Sequence, residues 1–96
     1  MGFRHIVLLT LDDACDVDAL VAALRELPAR IPEIATYVTG IDAKVNEGNA
    51  TVAVVADFAT VDDYLVYRDH PDHVSVINAR IKPHLVQRSA LQHETD

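Results

Sequence analysis

The chain is poor in the residue types on which many ligand sites are built. Its 96 residues include no tryptophan, one cysteine and three glycines, and only 5% are aromatic. Three glycines can hardly form a glycine-rich cradle for nucleotide phosphates. The single cysteine, Cys15, excludes an intramolecular disulfide and a paired-cysteine metal framework, and it favours a reducing compartment.

Positive charge is scarce as well. Eight Lys and Arg residues stand against 15 Asp and Glu residues, which gives a formal net charge of −7. Single-stranded nucleic acids need a basic groove with stacking rings, and anionic membrane surfaces attract basic segments. Neither nucleic acids nor membranes are therefore expected as partners.

Long apolar runs are missing too. No stretch approaches the ~18 apolar residues of a membrane span, and the first residues lack the layout of a secretory signal. We therefore expect a cytoplasmic protein. What the chain does have is 50% hydrophobic residues, which is enough for one domain with a thin core over residues 1–96.

The spacing of apolar residues predicts strands and helices in turn. The first helix runs from Val17 towards Leu27, with Asp16 as its N-cap and with Pro28 and Pro32 opposing its continuation. The residue types at 46–49 are typical of a turn. The predicted strands are 3–11, 34–42, 50–58 and 85–92, followed by a frayed tail at 93–96.

The second helical region is predicted to be broken. Thr60 begins a capping pattern, so a helix should follow it and stop around His70, before Pro71. Asp72 can cap a further helix, which Pro83 closes. The order is then β-α-β-β-α-β, an α+β arrangement of the ferredoxin-like type.

Both faces of the predicted sheet are apolar. Val7 and Leu9 lie on one face of the first strand and Ile6 and Leu8 on the other, and strand 50–58 alternates in the same way. Helices cover only one face, so a second copy of the chain is expected to cover the other, giving a homodimer with a shared interior. The alternative is a monomer with an open apolar face.

Ring side chains are concentrated in one part of the chain. Two of the three tyrosines and three of the five histidines fall between positions 64 and 84, namely Tyr64, Tyr67, His70, His73 and His84. With Asp69 or Asp72 these histidines are suitable metal ligands, but nothing in the spacing fixes a third ligand. No metal site is therefore predicted.

The segment Tyr67–His73, with its His-Pro-x-His element, resembles the stress-responsive A/B barrel family, Dabb. His5–Leu9 is similar to the opening strand of that family, Leu27–Ile34 to its Leu-Pro-x-x-Ile-Pro connector, and the strand ending at Phe58 also matches. The resemblance extends over nearly the whole chain. It implies a ferredoxin-like protomer that pairs into a dimeric α+β barrel, in agreement with the two apolar faces.

The resemblance also implies candidate catalytic residues. In the polyketide cyclases of this family, the positions matching His73, Tyr67 and His5 serve as the base, an assisting phenol and a pocket residue. The cyclases use a further histidine early in the third strand, where this chain has Thr51-Val52-Ala53. Many family members have no assigned reaction.

The chemistry of His73 and Tyr67 supports the same assignment. A neutral imidazole accepts a proton at pH 7, and a position at a helix N-terminus disfavours its charged form. A phenol can donate a hydrogen bond to a developing enolate. This pair can abstract a proton next to a carbonyl without a cofactor, so none is predicted. The expected substrate is a small carbonyl compound, which aldol-type chemistry then cyclises.

Other interpretations stay open. The same histidines and tyrosines can simply tie a broken helix together, which leaves a non-catalytic stress-associated dimer or a carrier of small hydrophobic ligands. A heme- or quinol-handling monooxygenase on the same barrel is a third option. In any of these cases, an apolar pocket between sheet and helices is expected. Its candidate ligand-binding residues are Val7, Leu9, Val52, Tyr64 and His70.

Overall fold

Buried and exposed side chains alternate along the first strand of the computed structural model, which describes residues 1–96. Val7 and Leu9 are buried, whereas Leu8 is 43% exposed. The two faces are therefore assigned as the alternation predicts.

The four strands form one antiparallel sheet in the order β2-β3-β1-β4. They are β1 (Gly2–Leu11), β2 (Ile34–Ile41), β3 (Val52–Phe58) and β4 (Leu85–Thr95). This order places β1 and β3 at the centre, as in the ferredoxin-like α+β fold, so the predicted fold class is confirmed. No helix of the molecule is long and apolar enough to cross a membrane.

The first helical region is divided in two. Helix α1 (Val17–Arg25) begins as predicted, because the side chain of Asp16 accepts a hydrogen bond from the backbone N–H of Ala19. Helix α2 (Leu27–Arg30) then contains Pro28 in its first turn, where a missing N–H is tolerated. Pro28 therefore belongs to a new helix rather than only ending the first one.

The second helical region is broken at His70, as expected. Helix α3 (Val61–Asp69) precedes the break, and helix α4 (Pro71–Val76) follows it. The N-cap of α4 is not Asp72, as the sequence suggested: the ring Nδ1 of His70 accepts a hydrogen bond from the backbone N–H of Asp72. His70 takes over the capping role because Pro71 forces it into an extended conformation just outside the helix.

Helical structure continues beyond α4 as a π-helical turn (Ile77–Ile81) and a 3₁₀ turn (Lys82–His84). A π-helical turn is wider than an α-helical turn, and such turns are frequent at functional sites. Here the π-helical turn carries Ile77 and Ile81 against the core, and the 3₁₀ turn after it leads into β4.

Two strand boundaries differ from the prediction by more than one residue. The tail at 93–96 is not frayed, because β4 extends to Thr95 and pairs with the start of β1, where Gly2 lies opposite Thr95. The polar side chains that suggested fraying are exposed while their backbone completes the sheet. Strand β3 begins at Val52 instead of residue 50, after a turn in which Gly48 has a positive φ of 82°.

The hydrophobic core lies between the sheet and the helices. Its 15 buried hydrophobic residues form one cluster, and Leu20, Leu24, Leu27, Ile31 and Val52 are fully buried. Truncating such a leucine to alanine costs about 2–5 kcal/mol of stability. The core therefore fixes the helices over one face of the sheet only.

The other face of the sheet is open and apolar. One cross-strand row on it runs through Val38, Val55, Ile6 and Leu91, one residue from each strand. Val38 is 62% exposed and Leu91 56%. An apolar row that spans a whole sheet face is typical of a surface that another protein covers.

Candidate active site

A cavity of about 300 Å³ lies between the sheet and the helical layer. Ten of its 15 lining residues are hydrophobic, and the other five are histidines or cations. The lining residues are His5, Val7, Leu9, Leu24, Tyr37, Val54, Tyr64, Tyr67, Arg68, His73, Ile77, Ile81, Lys82, Leu85 and Arg88. A mostly apolar cavity of this size suits a small organic molecule.

His73 is held in a single orientation near the start of α4. Its ring Nδ1 lies 3.0 Å from the backbone carbonyl oxygen of Arg68. Because a carbonyl oxygen only accepts, Nδ1 carries the hydrogen and donates it. The neutral ring therefore has its lone pair on Nε2, the nitrogen that is not tied to the protein.

Tyr67 lies against His73 and is almost completely buried. The two rings are stacked, with centroids 4.1 Å apart. The hydroxyl of Tyr67 is 2.9 Å from the hydroxyl of Tyr37 on β2, and either group can be the donor. When Tyr37 donates, the O–H of Tyr67 is left for a ligand.

His5 on β1 has the opposite arrangement to His73. The side-chain amide of Gln92 on β4 donates to Nδ1 of His5 over 2.8 Å, so the hydrogen of the neutral ring lies on Nε2. Both histidines line the cavity through a ring whose Nδ1 is tied to the protein. At Nε2, His73 thus offers a lone pair and His5 an N–H.

Burial keeps both imidazoles neutral. Together with the smaller effects of the nearby Arg88 and His73 charges, burial lowers the pKa of His5 to about 4. Burial also lowers the pKa of His73, against the opposing effect of the hydrogen bond to Arg68. The direction agrees with the sequence prediction for His73, but the leading cause is burial rather than the helix N-terminus.

Burial has the corresponding effect on the two phenols. It raises the pKa of Tyr37 to about 12 and raises the pKa of Tyr67 still more. Both hydroxyls therefore stay protonated at neutral pH and remain able to donate a hydrogen bond.

Most of the residues predicted for the site come together at the cavity. The three catalytic candidates His73, Tyr67 and His5 all line it, and so do three of the five ligand-binding candidates, Val7, Leu9 and Tyr64.

The other two candidates lie elsewhere. Val52 is 1% exposed and packs in the core, because it faces the helices at the end of β3 away from the cavity lining. His70 caps α4 with its ring and does not line the cavity. No group of three or more His, Cys, Asp or Glu side chains comes together as a set of metal ligands.

The sequence reasoning missed Tyr37, Gln92 and Arg88. Register shows why they belong to the site: Tyr37, Ala56, His5 and Gln92 form one cross-strand row on the helix-covered face. For Arg88 and Gln92, the sequence signal was the alternation of side chains along β4, which puts Arg88, Ala90 and Gln92 on one face of the strand. It was obscured because the strand is polar and its side chains are exposed.

Chemically, the cavity combines a base with donors. A neutral imidazole lone pair, a buried phenol and an imidazole N–H share one small apolar space, where hydrogen bonds are stronger than in water. This is a set of groups for moving a proton and stabilising an oxyanion. Fold and site together define a ferredoxin-like α+β protein with a mostly apolar cavity, lined by histidines and tyrosines, under its helices.

Comparison with known proteins identifies the family. The stress responsive A/B barrel domain, Dabb, matches residues 3–93, so the chain belongs to this family. A dimeric ferredoxin-like protein of unknown function from Thermobifida fusca YX is 40% identical, covering 99% of this chain and 92% of that chain with a TM-score of 0.88.

Two further structures share the fold. A dimeric ferredoxin-like protein of unknown function from Bacteroides fragilis NCTC 9343 is 26% identical over 98% of this chain and 96% of that chain, with a TM-score of 0.76. The hydroxynitrile lyase from Passiflora edulis is 20% identical over 99% and 94%, with a TM-score of 0.84, a likeness of fold alone. No curated protein sequence matches the chain significantly.

Proposed function

We propose that this protein is a homodimeric, cofactor-independent enzyme that removes a proton next to the carbonyl of a small keto compound. His73 is the base, and Tyr67 and His5 are the hydrogen-bond donors to the resulting enolate. Aldol-type cyclisation is the reaction that follows when the substrate carries a second carbonyl. The reducing environment that a lone cysteine favours fits a cytoplasmic enzyme.

One observation carries the proposal: a neutral imidazole with its Nδ1 fixed by Arg68 lines an apolar cavity next to a buried phenol. A base whose pKa lies below neutrality is unprotonated at pH 7 and ready to accept a proton. Fixing Nδ1 also removes the need to reorient the ring during the reaction.

The step balances with these groups alone. Nε2 of His73 takes the proton from the carbon next to the carbonyl, and the electron pair moves to the carbonyl oxygen. That oxygen accepts hydrogen bonds from the O–H of Tyr67 and from Nε2–H of His5. In cyclisation, the enolate carbon forms a bond to a second carbonyl carbon, whose oxygen takes up the proton from His73.

The dimer is supported by the open sheet face. Ile6, Leu8, Val38 and Leu91 expose a continuous apolar surface that helices do not cover. The relatives from Thermobifida fusca and Bacteroides fragilis are described as dimeric. A second copy that packs its own open face here buries both surfaces at once.

Deuterium exchange tests the proton transfer. In D₂O, methyl 4-oxo-4-phenylbutanoate is incubated with the protein, and loss of the C3 proton signal beside the ketone is followed by NMR. We expect acceleration over buffer, reduced about 100-fold in His73→Asn. Asparagine keeps a donor for the carbonyl of Arg68 but has no basic nitrogen, so the fold should be retained. No acceleration, or equal acceleration by the variant, contradicts the proposal.

A second candidate function is ligand binding without chemistry. It is favoured by the fact that every buried side-chain nitrogen and oxygen atom has a hydrogen-bond partner, as a purely structural polar network requires. This candidate predicts that the ketone binds, with shifted protein NMR signals around the cavity, but exchanges no faster than in buffer.

A further inference from the structure

The polar part of the cavity lining carries one sign of charge only. Besides the two histidines, its non-apolar residues are Arg68, Lys82 and Arg88, and no Asp or Glu lines the cavity. The whole chain has eight Lys and Arg residues and 15 Asp and Glu residues. An acidic protein thus places three of its eight cations, and none of its 15 carboxylates, around one small apolar cavity.

Two of these three cations are free. Arg68 is held by its neighbour, since its Nε and one terminal nitrogen donate to the carboxylate of Asp69 over 2.9 and 3.0 Å. Arg88 and Lys82 take part in none of the ion pairs or side-chain hydrogen bonds of the molecule. Their charges have no counterion within the protein.

Arg88 lines the same cavity as His5 and His73. It lies opposite Leu9 in the β1–β4 pairing, on the same face as Gln92, which holds His5. Its charge lowers the pKa of both His5 and His73. Because the guanidinium and both imidazoles line one cavity of about 300 Å³, a ligand in this cavity can contact all three groups.

Lys82 lines the same cavity from the 3₁₀ turn. It follows the π-helical turn, whose Ile77 and Ile81 supply apolar lining. The two free cations come from consecutive elements, the 3₁₀ turn and β4, and both line this cavity. Clefts lined by one sign of charge with low-dielectric walls concentrate ligands of the opposite sign.

Resting on the function proposed above, we infer that the substrate is a keto acid: its carboxylate pairs with Arg88 and Lys82 while its apolar body fills the cavity. The guanidinium can form two parallel hydrogen bonds to a carboxylate. The ketone then lies towards Nε2 of His73 and of His5. The positive end of the cavity thus selects and orients the molecule that the histidines act upon.

Binding of such an anion also affects the base. A carboxylate on Arg88 offsets the positive charge that lowers the pKa of His73. An acidic substrate therefore removes one of the causes that lower this pKa, although burial, the leading cause, stays. A neutral ligand produces no such change.

A matched ligand pair tests the inference. Binding of 4-oxo-4-phenylbutanoate and of its methyl ester is measured by isothermal titration calorimetry with the wild-type protein and with Arg88→Gln and Arg30→Gln. Arg30 is an exposed arginine of α2 that does not line the cavity. We expect the acid to bind at least about tenfold more tightly than the ester, a preference that Arg30→Gln keeps and Arg88→Gln loses.

The outcomes separate the two proposals. Equal affinity for acid and ester, absence of acid binding, or a preference that survives Arg88→Gln overturns the keto-acid assignment. Each of these leaves intact a proton exchange of the ester that depends on His73. Conversely, an acid preference that depends on Arg88 without exchange that depends on His73 supports the anion site and contradicts the proton-transfer function.

Discussion

Tyr67 and His73 stack with their ring centroids 4.1 Å apart and their planes inclined by 29°. Each ring is fixed at its polar edge by a different part of the chain, Tyr67 by the hydroxyl of Tyr37 and His73 by the carbonyl of Arg68. The proposed donor and the proposed base are thus held in place before any ligand arrives. Preorganisation of this kind is what an acid–base site requires.

The first prediction concerns stability against pH. The folded-state pKa of His5 is about 4, below its ordinary value of 6.5, so the unfolded chain binds a proton first as the pH falls. The contribution of neutral His5 is present above pH 6.5 and is lost down to about pH 4. It amounts to at most about 3 kcal/mol.

Urea unfolding at fixed protein concentration, between pH 7.5 and 4, measures this loss. We expect the free energy of unfolding to fall less steeply in His5→Gln than in the wild type. Glutamine can still hydrogen-bond to Gln92 but does not titrate. If the free energies of unfolding of the two proteins fall in parallel, the assignment of His5 as a buried neutral imidazole is wrong.

The second prediction concerns the hydroxyl pair. Tyr67→Phe and Tyr37→Phe each leave one buried hydroxyl without its partner, so each should lower the free energy of unfolding by about 1–3 kcal/mol. The double variant should lose less than the sum, because the two losses share one hydrogen bond. Additive losses in this double-mutant cycle would show that the bond contributes nothing.

Activity distinguishes the two tyrosines further. Tyr67 is the proposed donor to the enolate, so Tyr67→Phe should slow ketone exchange by about tenfold or more. Tyr37→Phe removes only the hydroxyl that hydrogen-bonds to Tyr67, so it should slow exchange less. An equal or larger loss in Tyr37→Phe contradicts the direct role of Tyr67.

The third prediction follows from the raised pKa values of the two phenols. In a native spectrophotometric titration, two of the three tyrosines should remain protonated at pH 11, since burial raises the pKa of Tyr37 to about 12 and that of Tyr67 further. Folding stability is then lost as the pH rises above about 10, the ordinary tyrosine pKa, because the unfolded phenols ionise first. Ionisation of all three tyrosines in the folded protein near pH 10 would contradict this account.

The fourth prediction concerns the dimer. Leu8 on the open sheet face and Val66 on helix α3 are each 43% exposed, so they form a matched pair. Leu8→Lys places a charge in the proposed interface, where its burial without a partner is costly. Sedimentation should show a monomer for Leu8→Lys and a dimer for the wild type and Val66→Lys. A dimer that survives Leu8→Lys, or a monomeric wild type, contradicts the proposed interface.

Much of the fold could be predicted because local rules and tertiary packing agree in this chain. The alternation of Val7 and Leu8 assigns the strand faces, and Asp16 and Thr60 cap the helices where their side chains suggest. The prediction failed where two capping groups compete. His70 replaces Asp72 because Pro71 fixes the chain direction there, which residue preferences alone do not reveal.

Only part of the candidate site could be predicted from the sequence. His73 and Tyr67 lie six residues apart near a recognisable motif, and they come together through one helix junction. Tyr37, Gln92 and Arg88 are brought to the site by the register of the sheet, which depends on how its four strands align. The tautomers of the histidines depend on partners that are far away in sequence, with His5 and Gln92 separated by 87 positions.

Two neutral histidines present opposite groups to one cavity, a lone pair on His73 and an N–H on His5. Long-range ¹H–¹⁵N NMR of the imidazole rings at pH 7, assigned with His5→Gln and His73→Asn, measures this directly. The structure predicts that both rings are neutral, with the hydrogen of His73 on Nδ1 and that of His5 on Nε2. The same tautomer in both rings, or a protonated His73 at pH 7, would contradict the assignment of His73 as the base and of His5 as a hydrogen-bond donor.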